Sequence, residues 1–303
     1  MVGRQANSGM ILRQPRRRQQ SSSLVTRVAR DLRIGPGKGA IVADLVTAAV
    51  ALGTASQAAS RLLGPTLDHY GERLLQGAKA SPGFIKVLLK AESKVGSRLG
   101  LPGTVAPRVA REVLEQAWWT DDEVCAEYLA GVLACARTED GKDDRALPFA
   151  AMIGRLSSFE LRTHYILYRA TADVLSERGP YFGVSPIAQM ERDVACLVPY
   201  RPLLNLVSQR DVDAEPDLQT VDAGIRSLDE LSRENLIQGH DSLDQSDPSL
   251  PSYSFRPTRR GFELFLWGLG LGHLTLTEAV EALNGFIYSN DLPYLPASAG
   301  PRT

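Results

Sequence analysis

The sequence predicts a mainly α-helical protein, and three observations carry that prediction. Apolar residues recur at helical spacing over most of the chain. The spacing of a capping box, a Ser or Thr followed three residues later by Glu, opens four successive apolar runs. Strand-like stretches are few and short, namely "ACLVPY" around Val198 and "SYSFRPT" before Pro257. With 303 residues, 44% of them hydrophobic, the chain has enough apolar material for a sizeable core, and its length suggests two domains, or one domain and a tail.

Residues 1–38 are basic and rich in Gln and Ser, with nine Lys and Arg against the single acid Asp31, so that the rest of the chain carries −9 of the formal total of −1. Too little apolar surface is present there to offset the entropy of ordering a backbone, and a disordered tail is expected; an organellar transit peptide is the alternative that the same composition allows. From Gly39 the chain turns rich in Ala, Leu and Val, and helices are expected in "VADLVTAAVALGTASQAASRLLG", around Leu67, Tyr70, Leu74 and Leu75, and in "FIKVLLKAESKVGSRLG". The next helix opens near Pro107 and places Val109, Val113, Leu114, Ala117 and Trp118 on one face. "WWTDDEVCAEYLAGVLACAR" follows, with Thr120 and Glu123 at capping-box spacing and a stripe from Val124 to Ala136 facing the preceding helix in an antiparallel hairpin. On this reading Asp121 and Asp122 favour the positive end of a helix. The other boxes are Ser157 with Glu160, Ser227 with Glu230, and Thr275 with Glu278.

The second half runs as a helix at 157–176, a long Pro-rich excursion, a short helix ending in "ENLIQG", a polar loop, an extended piece and the helix "RRGFELFLWGL". That order is the plan of a winged-helix-like module with a small β wing, following a helical bundle. The expected organisation is therefore a tail at 1–38, a helical domain at 39–155, a winged-helix-like domain at 156–290 with an insertion at about 177–216, and a second tail at 291–303.

Catalytic and metal-binding templates do not match. "GPGKGA" has Leu32 and Gly39 where a phosphate loop needs Gly and Ser or Thr. "GLGLG" at 268–272 lacks a preceding parallel strand and reads as a helix end. "GSRLG" has its serine one place early for a nucleophile elbow. His69, His164, His240 and His273 show no metal-ligand spacing and read as packing or surface residues. "TEDGKDDR" at 138–145 reads as a solvated loop; a metal site would need it to meet Asp121 and Asp122 in space, which makes Asp121, Asp122, Asp143 and Asp144 the acids an enzyme would use. No enzyme is expected, and no cofactor. Three cysteines without CxxC spacing fit a reducing compartment, so the expected location is cytoplasmic. The uncharged stretches "LVTAAVALGTASQAAS" and "LFLWGLGLGHLTLT" are shorter than the ~20 residues of a spanning helix.

The winged-helix plan raises nucleic-acid binding. Its recognition-helix candidate, "VDAGIRSLDELSRENLIQG", sets Arg226 and Arg233 against Asp222, Asp229, Glu230 and Glu234, and phosphate repulsion weakens groove insertion. Arg256, Arg259 and Arg260 near the wing, and Arg16, Arg17 and Arg18 in the tail, are the candidate DNA or polyanion contacts. Arg226, Asp229 and Arg233 are the candidate partner-contact residues, since a protein partner suits this helix better.

The blocks "LLGPTLDHYGERL", "APRVAREVLEQAWWTDDEVCAEYLAGVLACA", "IGRLSSFELRTHYILYRA" and "ENLIQG…SFRPTRRGFELFLW" resemble the successive blocks of the bacterial abortive-infection alpha family, over roughly residues 60–270. Pro257-Thr258-x-x-Gly261 takes the place of that family's closing "LT-x-x-G". The insertion at about 177–216, the basic tail and the helix after Thr275 depart from the pattern. The resemblance implies a non-enzymatic role in prokaryotic defence against phage, and it transfers no catalytic residues. Protein contacts are the expected mode of action. The alternatives are a DNA-binding regulator and, less favoured, a membrane-acting effector that exposes the apolar faces of 45–60 and 264–277.

Overall fold

A computed structural model describes residues 53–54, 56–64, 81–178, 195–239, 243–244, 251–296 and 298–299. The basic tail with Arg16, Arg17 and Arg18, the "GPGKGA" stretch, His69, His240 and the first part of the insertion lie outside these residues. The chain divides into two compact units between Gly53 and Thr54, and the elements from residue 56 onward belong to the second. As the sequence predicts, the protein is mainly helical, with a small antiparallel sheet.

A helical stretch at 56–63 buries Ala58, Ala59, Leu62 and Leu63. Helix α1, Pro82–Val95, is capped by Ser81, whose hydroxyl accepts from the Phe84 amide at 3.4 Å and donates to the Trp118 carbonyl at 2.7 Å. Its Phe84, Val87, Leu88, Ala91 and Val95 face inward. "GSRLG" is a 3₁₀ turn, and the two-residue strands β1, Thr104–Val105, and β2, Arg137–Thr138, which the sequence does not announce, pair antiparallel. Helix α2, Pro107–Trp118, buries the predicted Val109, Val113, Leu114 and Ala117.

Helix α3, Glu123–Cys135, corrects two expectations. Thr120 does not cap it, because the Thr120 hydroxyl donates to the Gln116 carbonyl and so closes α2. Asp122 is the cap, accepting from the Val124 and Cys125 amides at 3.0 and 2.9 Å. Nor is α3 buried along one stripe: Ala126 to Cys135 are buried without a break, with α1, α2, α4, α5 and α8 all packed against it (α4, Leu147–Arg155; α5, Ser158–Arg178; α8, Arg259–Leu269). The small residues between the large ones explain this, since they let neighbouring backbones approach on every side. At Gly131 an added Cβ would lie 2.0 Å from the Gly268 carbonyl oxygen of α8. Gly131→Ala should therefore force two backbones apart and lower stability by about 1–3 kcal/mol, read as a reduced urea midpoint of the full chain.

Three lysines of α1 ladder onto two glutamates of α3. Lys86 and Lys90 meet Glu123 at 2.7 Å each, Lys90 meets Glu127 at 2.8 Å, and Lys94 pairs with Glu127 while donating to the Leu269 carbonyl at 3.1 Å. Burial alone would raise the Glu127 carboxyl, but Lys94 and Lys90 outweigh it and hold it below the usual range. The pairs thus fix the register of α1 on α3 and tie both to the end of α8.

Helix α5 begins with the predicted capping box: the Ser157 amide donates to Glu160 at 2.6 Å, and the Glu160 amide donates to Ser157 at 3.3 Å. Strand β3, Cys196–Pro199, lies within the stretch expected to be an insertion, 177–216, and runs directly into α6, Tyr200–Val207. Helix α7, Leu218–Arg233, comes next. Here the Ser227–Glu230 box is corrected, because Ser227 lies inside α7, buried, with its hydroxyl 2.7 Å from that of Thr163; Asp217 caps the helix instead. "ENLIQG" is not helical but forms the turn after α7 and the strand β4, Ile237–Gln238. Strands β5, Leu243–Asp244, and β6, Ser252–Pro257, precede α8. After α8 the left-handed Gly270 ends the helix, and α9, Leu276–Leu283, starts with the predicted Thr275–Glu278 box. Strand β6 pairs antiparallel with β3, β4 and β5, and the closing strand β7, Ser298–Ala299, covers the outer edge of β3.

Candidate partner-contact surface

The surface is built on α6, the following loop and α7. Asn205, wholly buried in α6, donates to the Val212 and Ala214 carbonyls at 3.2 and 2.6 Å and so shapes the loop from its inner side. Asp217 at the head of α7 accepts from the Thr220 amide at 2.8 Å and from Arg210 at 2.5 Å. The Thr220 amide, followed by Arg210, holds the Asp217 carboxyl down at about 2. The buried face of α7 consists of Thr220, Gly224, Ser227, Leu228 and Leu231. A Cβ on Gly224 would meet Leu204 of α6 at 2.0 Å, so the helix pair packs closely there. Asn235, in the left-handed region at φ 56°, ends α7 with the Leu236 amide donating to the Leu231 carbonyl at 2.8 Å.

Tyr168 of α5 braces this turn from below. Its hydroxyl accepts from the Thr258 amide at 2.9 Å and donates to the Leu236 carbonyl. Thr258 in turn caps α8, accepting from the Gly261 amide at 3.0 Å and donating to the Asn235 carbonyl at 2.8 Å. Gly261 has no room for a side chain, since its Cβ would stand 2.1 Å from the Tyr168 hydroxyl. The Thr-x-x-Gly spacing therefore has a packing cause. Thr caps the helix, and Gly admits the tyrosine.

The outward face of α7 carries Leu218, Asp222, Ile225, Arg226, Asp229 and Arg233. Leu218 is 87% and Ile225 45% exposed, large apolar side chains on one line down the helix with Asp222 and Asp229 close beside it. Arg226 pairs with Asp222 at 2.9 Å, and Arg233 pairs with Glu230. The three partner-contact residues expected from sequence thus share one exposed helix, and the apolar pair was not among them. An i, i+7 repeat of Leu218 and Ile225 was visible in the sequence, but the helix start that gives it meaning was misplaced.

The wing arginines are placed less favourably for an anionic ligand. Arg256 lies on β6 in register with Gln238. Arg259 and Arg260, exposed on the first turn of α8, meet Glu263 at 2.8 Å and Glu234 at 3.5 Å. Beside Arg259 and Glu263 a shallow cleft of 210 Å³ is lined by Leu266, Trp267, Leu271 and Leu274.

The acids singled out in the sequence do not converge. Asp122 caps α3 and accepts from Arg162 at 3.0 Å. Asp143 binds Arg145, which keeps its carboxyl below the ordinary range, and Asp144 meets Arg108 at 3.1 Å. Asp121 is exposed. Among the described residues no group of three or more His, Cys, Asp or Glu is arranged to hold a metal ion.

Under α8 lies a histidine that the sequence reads as a packing or surface residue and that is a packing residue. His164 of α5 is wholly buried, with Nδ1 2.7 Å from the Tyr128 hydroxyl, Nε2 3.1 Å from the Gly261 carbonyl and its ring stacked on Tyr168 at 4.4 Å. Cys135 and Cys196 are buried, and burial pushes the Cys135 thiol up to about 11, so it is a poor nucleophile. No family model matches the chain, and neither a curated protein nor a solved structure matches it. Among the described residues no helix is long and apolar enough to cross a membrane.

Proposed function

We propose that this chain is a non-enzymatic cytoplasmic protein of prokaryotic antiphage defence, acting through protein contacts made by a winged-helix-like module. The module is read from the order α5, β3, α6, α7, β4, β6 and from a sheet in which β6 lies between β3 and β4. The defence context rests on the resemblance of the sequence blocks to the abortive-infection alpha family. One observation favours protein over DNA. The solvent face of α7, the helix that such a module would present to a duplex, offers Leu218 and Ile225 with Asp222 and Asp229 beside them, and its Arg226 and Arg233 are paired with Asp222 and Glu230, where phosphate contact calls for available cations. Apolar anchors with a charged rim are the pattern of a protein interface.

Replacing Leu218 and Ile225 together by Glu tests this. Both side chains are exposed, so the urea midpoint should stay at the wild-type value while restriction of phage in cells carrying the variant is lost. Undiminished restriction by a variant that folds normally would rule out the α7 face as the working surface. Binding to a DNA duplex across a salt series examines the regulator alternative, for which sequence preference must survive at physiological salt. The membrane-acting alternative requires unpacking, because Leu264, Phe265, Leu266 and Leu269 are buried in the core.

A further inference from the structure

The chain after α9 lies across α5 and ends on the sheet. From Asn284 to Leu292 its backbone bonds are local: Asn284 to Glu281, Phe286 to Leu283, and Leu292 to Ser289. It is held to the body by side chains and by one short ladder. Tyr288 lies under the Arg169 guanidinium, 3.1 Å from carbon to ring centroid, and Tyr294 flanks the same group at 4.9 Å. Leu292 and Leu295 are buried. Among the described residues strand β7 then pairs with two residues of β3, Cys196 with Ala299 and Leu197 with Ser298, whereas β6 pairs with all four on the other side.

The seat is imperfect in one respect. Arg169 Nε, Asp173 Oδ2 and the Tyr288 hydroxyl are all buried with no hydrogen-bond partner, and the Arg169–Asp173 approach of 3.7 Å is too long for a hydrogen bond. Each such atom works against the burial of the leucines and tyrosines, because it forfeits its bonds to water. Lifting the segment would rehydrate all three while breaking the ladder between β7 and the start of β3. The region thus combines few backbone bonds to the body with a desolvation penalty, which is the makeup of a low-energy opening unit.

We infer that the segment from Asn284 to Ala299 is a releasable strap, occupying in cis a site at which an extended segment of a partner protein adds to the outer edge of β3. The strap itself shows what the site accepts: an aromatic ring to stack on Arg169, a leucine in the seat of Leu295, and an extended backbone to continue the ladder along Cys196 and Leu197. Strand addition at a sheet edge supplies main-chain bonds for affinity and side-chain seats for choice of partner. While the strap is down, that edge is covered by the chain's own residues, as exposed edges usually must be.

Hydrogen exchange on the full chain, with and without Tyr288→Ala, tests the strap, and a labelled peptide with the sequence of residues 285–303 serves as the probe. Amides at 284–296 and 195–198 should exchange at least about ten-fold faster than those of α3 in the wild type, because opening is local. Tyr288→Ala, and Arg169→Gln from the other side of the stack, should speed those two regions further and leave α3 at its wild-type rate. The probe should bind the Tyr288→Ala chain more tightly than the wild type and slow exchange at 195–198 again. Exchange of the strap as slow as that of α3, equal acceleration of α3 in both variants, or failure of the probe to bind the opened chain would each overturn the inference.

Discussion

Asp122→Ala should destabilise the protein by about 3–5 kcal/mol, the loss typical of breaking one side of a buried ion pair. Two functions end with that carboxylate. Oδ1 caps α3 through the Val124 and Cys125 amides, and Oδ2 accepts from Arg162 Nε at 3.0 Å. Arg162 is 8% exposed, and it also donates to the Val207 carbonyl at the end of α6 and lies 5.0 Å from the Phe159 ring. Without Asp122 the guanidinium stays buried with no carboxylate beside it, and the central helix loses its cap. Asp122→Asn should recover about 1 kcal/mol, since asparagine caps as well as aspartate. Adding Arg162→Met to Asp122→Ala should restore more, because it removes the stranded charge. Asp121→Ala, at an exposed position, should change stability by under about 0.5 kcal/mol. Urea unfolding of the full chain measures all four, and equal losses at Asp121 and Asp122 would refute the role assigned to the pair.

The same residues show where sequence reasoning reached and where it stopped. Helical spacing identified the inward face of α2, the run "RRGFELFLWGL" is α8, and the two short strand-like stretches are β3 and β6, because these patterns are local and follow from burial. Two capping boxes, at Ser157 and Thr275, hold for the same reason. The other two fail through competition. Thr120 sits so close to the end of α2 that its hydroxyl bonds back to Gln116, and Ser227 satisfies the spacing merely because positions three apart adjoin on any helix. Beyond the local pattern little was legible. Arg162 meets Asp122 across 40 positions and His164 meets the Gly261 carbonyl across 97. Nothing in a single sequence distinguishes Gly131, whose place is decided by the backbone of α8, from a glycine in a loop. The proposed surface was least legible, because the outward line of Leu218 and Ile225 can be drawn only once Asp217 is known to start the helix.

The stability of the protein should fall steeply on mild acidification, and His164 should carry most of the slope between pH 6.5 and 4.5. A carbonyl can only accept, so the 3.1 Å contact with Gly261 puts the imidazole proton on Nε2; Nδ1 then accepts from the Tyr128 hydroxyl at 2.7 Å. This neutral tautomer satisfies both ring nitrogens, and a second proton would reverse the Tyr128 bond, deprive the phenol proton of its acceptor and place a charge in the core. Burial accordingly lowers the His164 pKa to about 3, with the Gly261 carbonyl raising it by a smaller amount. Its value in the unfolded chain is near 6.5, so below that pH the unfolded state takes up a proton that the native state refuses. Stability from this group is complete above pH 6.5 and declines by about 1.4 kcal/mol per unit as pH falls toward 3, reaching a loss of about 3 kcal/mol at pH 4. His273, lowered by burial and by Arg98, adds a smaller slope of the same sign. Glu123 and Glu127, which the lysines of α1 hold below their usual range, contribute only under about pH 4.5, where unfolded glutamates begin to protonate. His164→Gln removes the titration and keeps a polar side chain in the core. Between pH 7 and pH 5 the wild type should therefore lose about 2 kcal/mol more than the variant. Urea midpoints of the two proteins at the two pH values decide it, and parallel losses would show that His164 is charged in the folded chain or titrates as it does when unfolded.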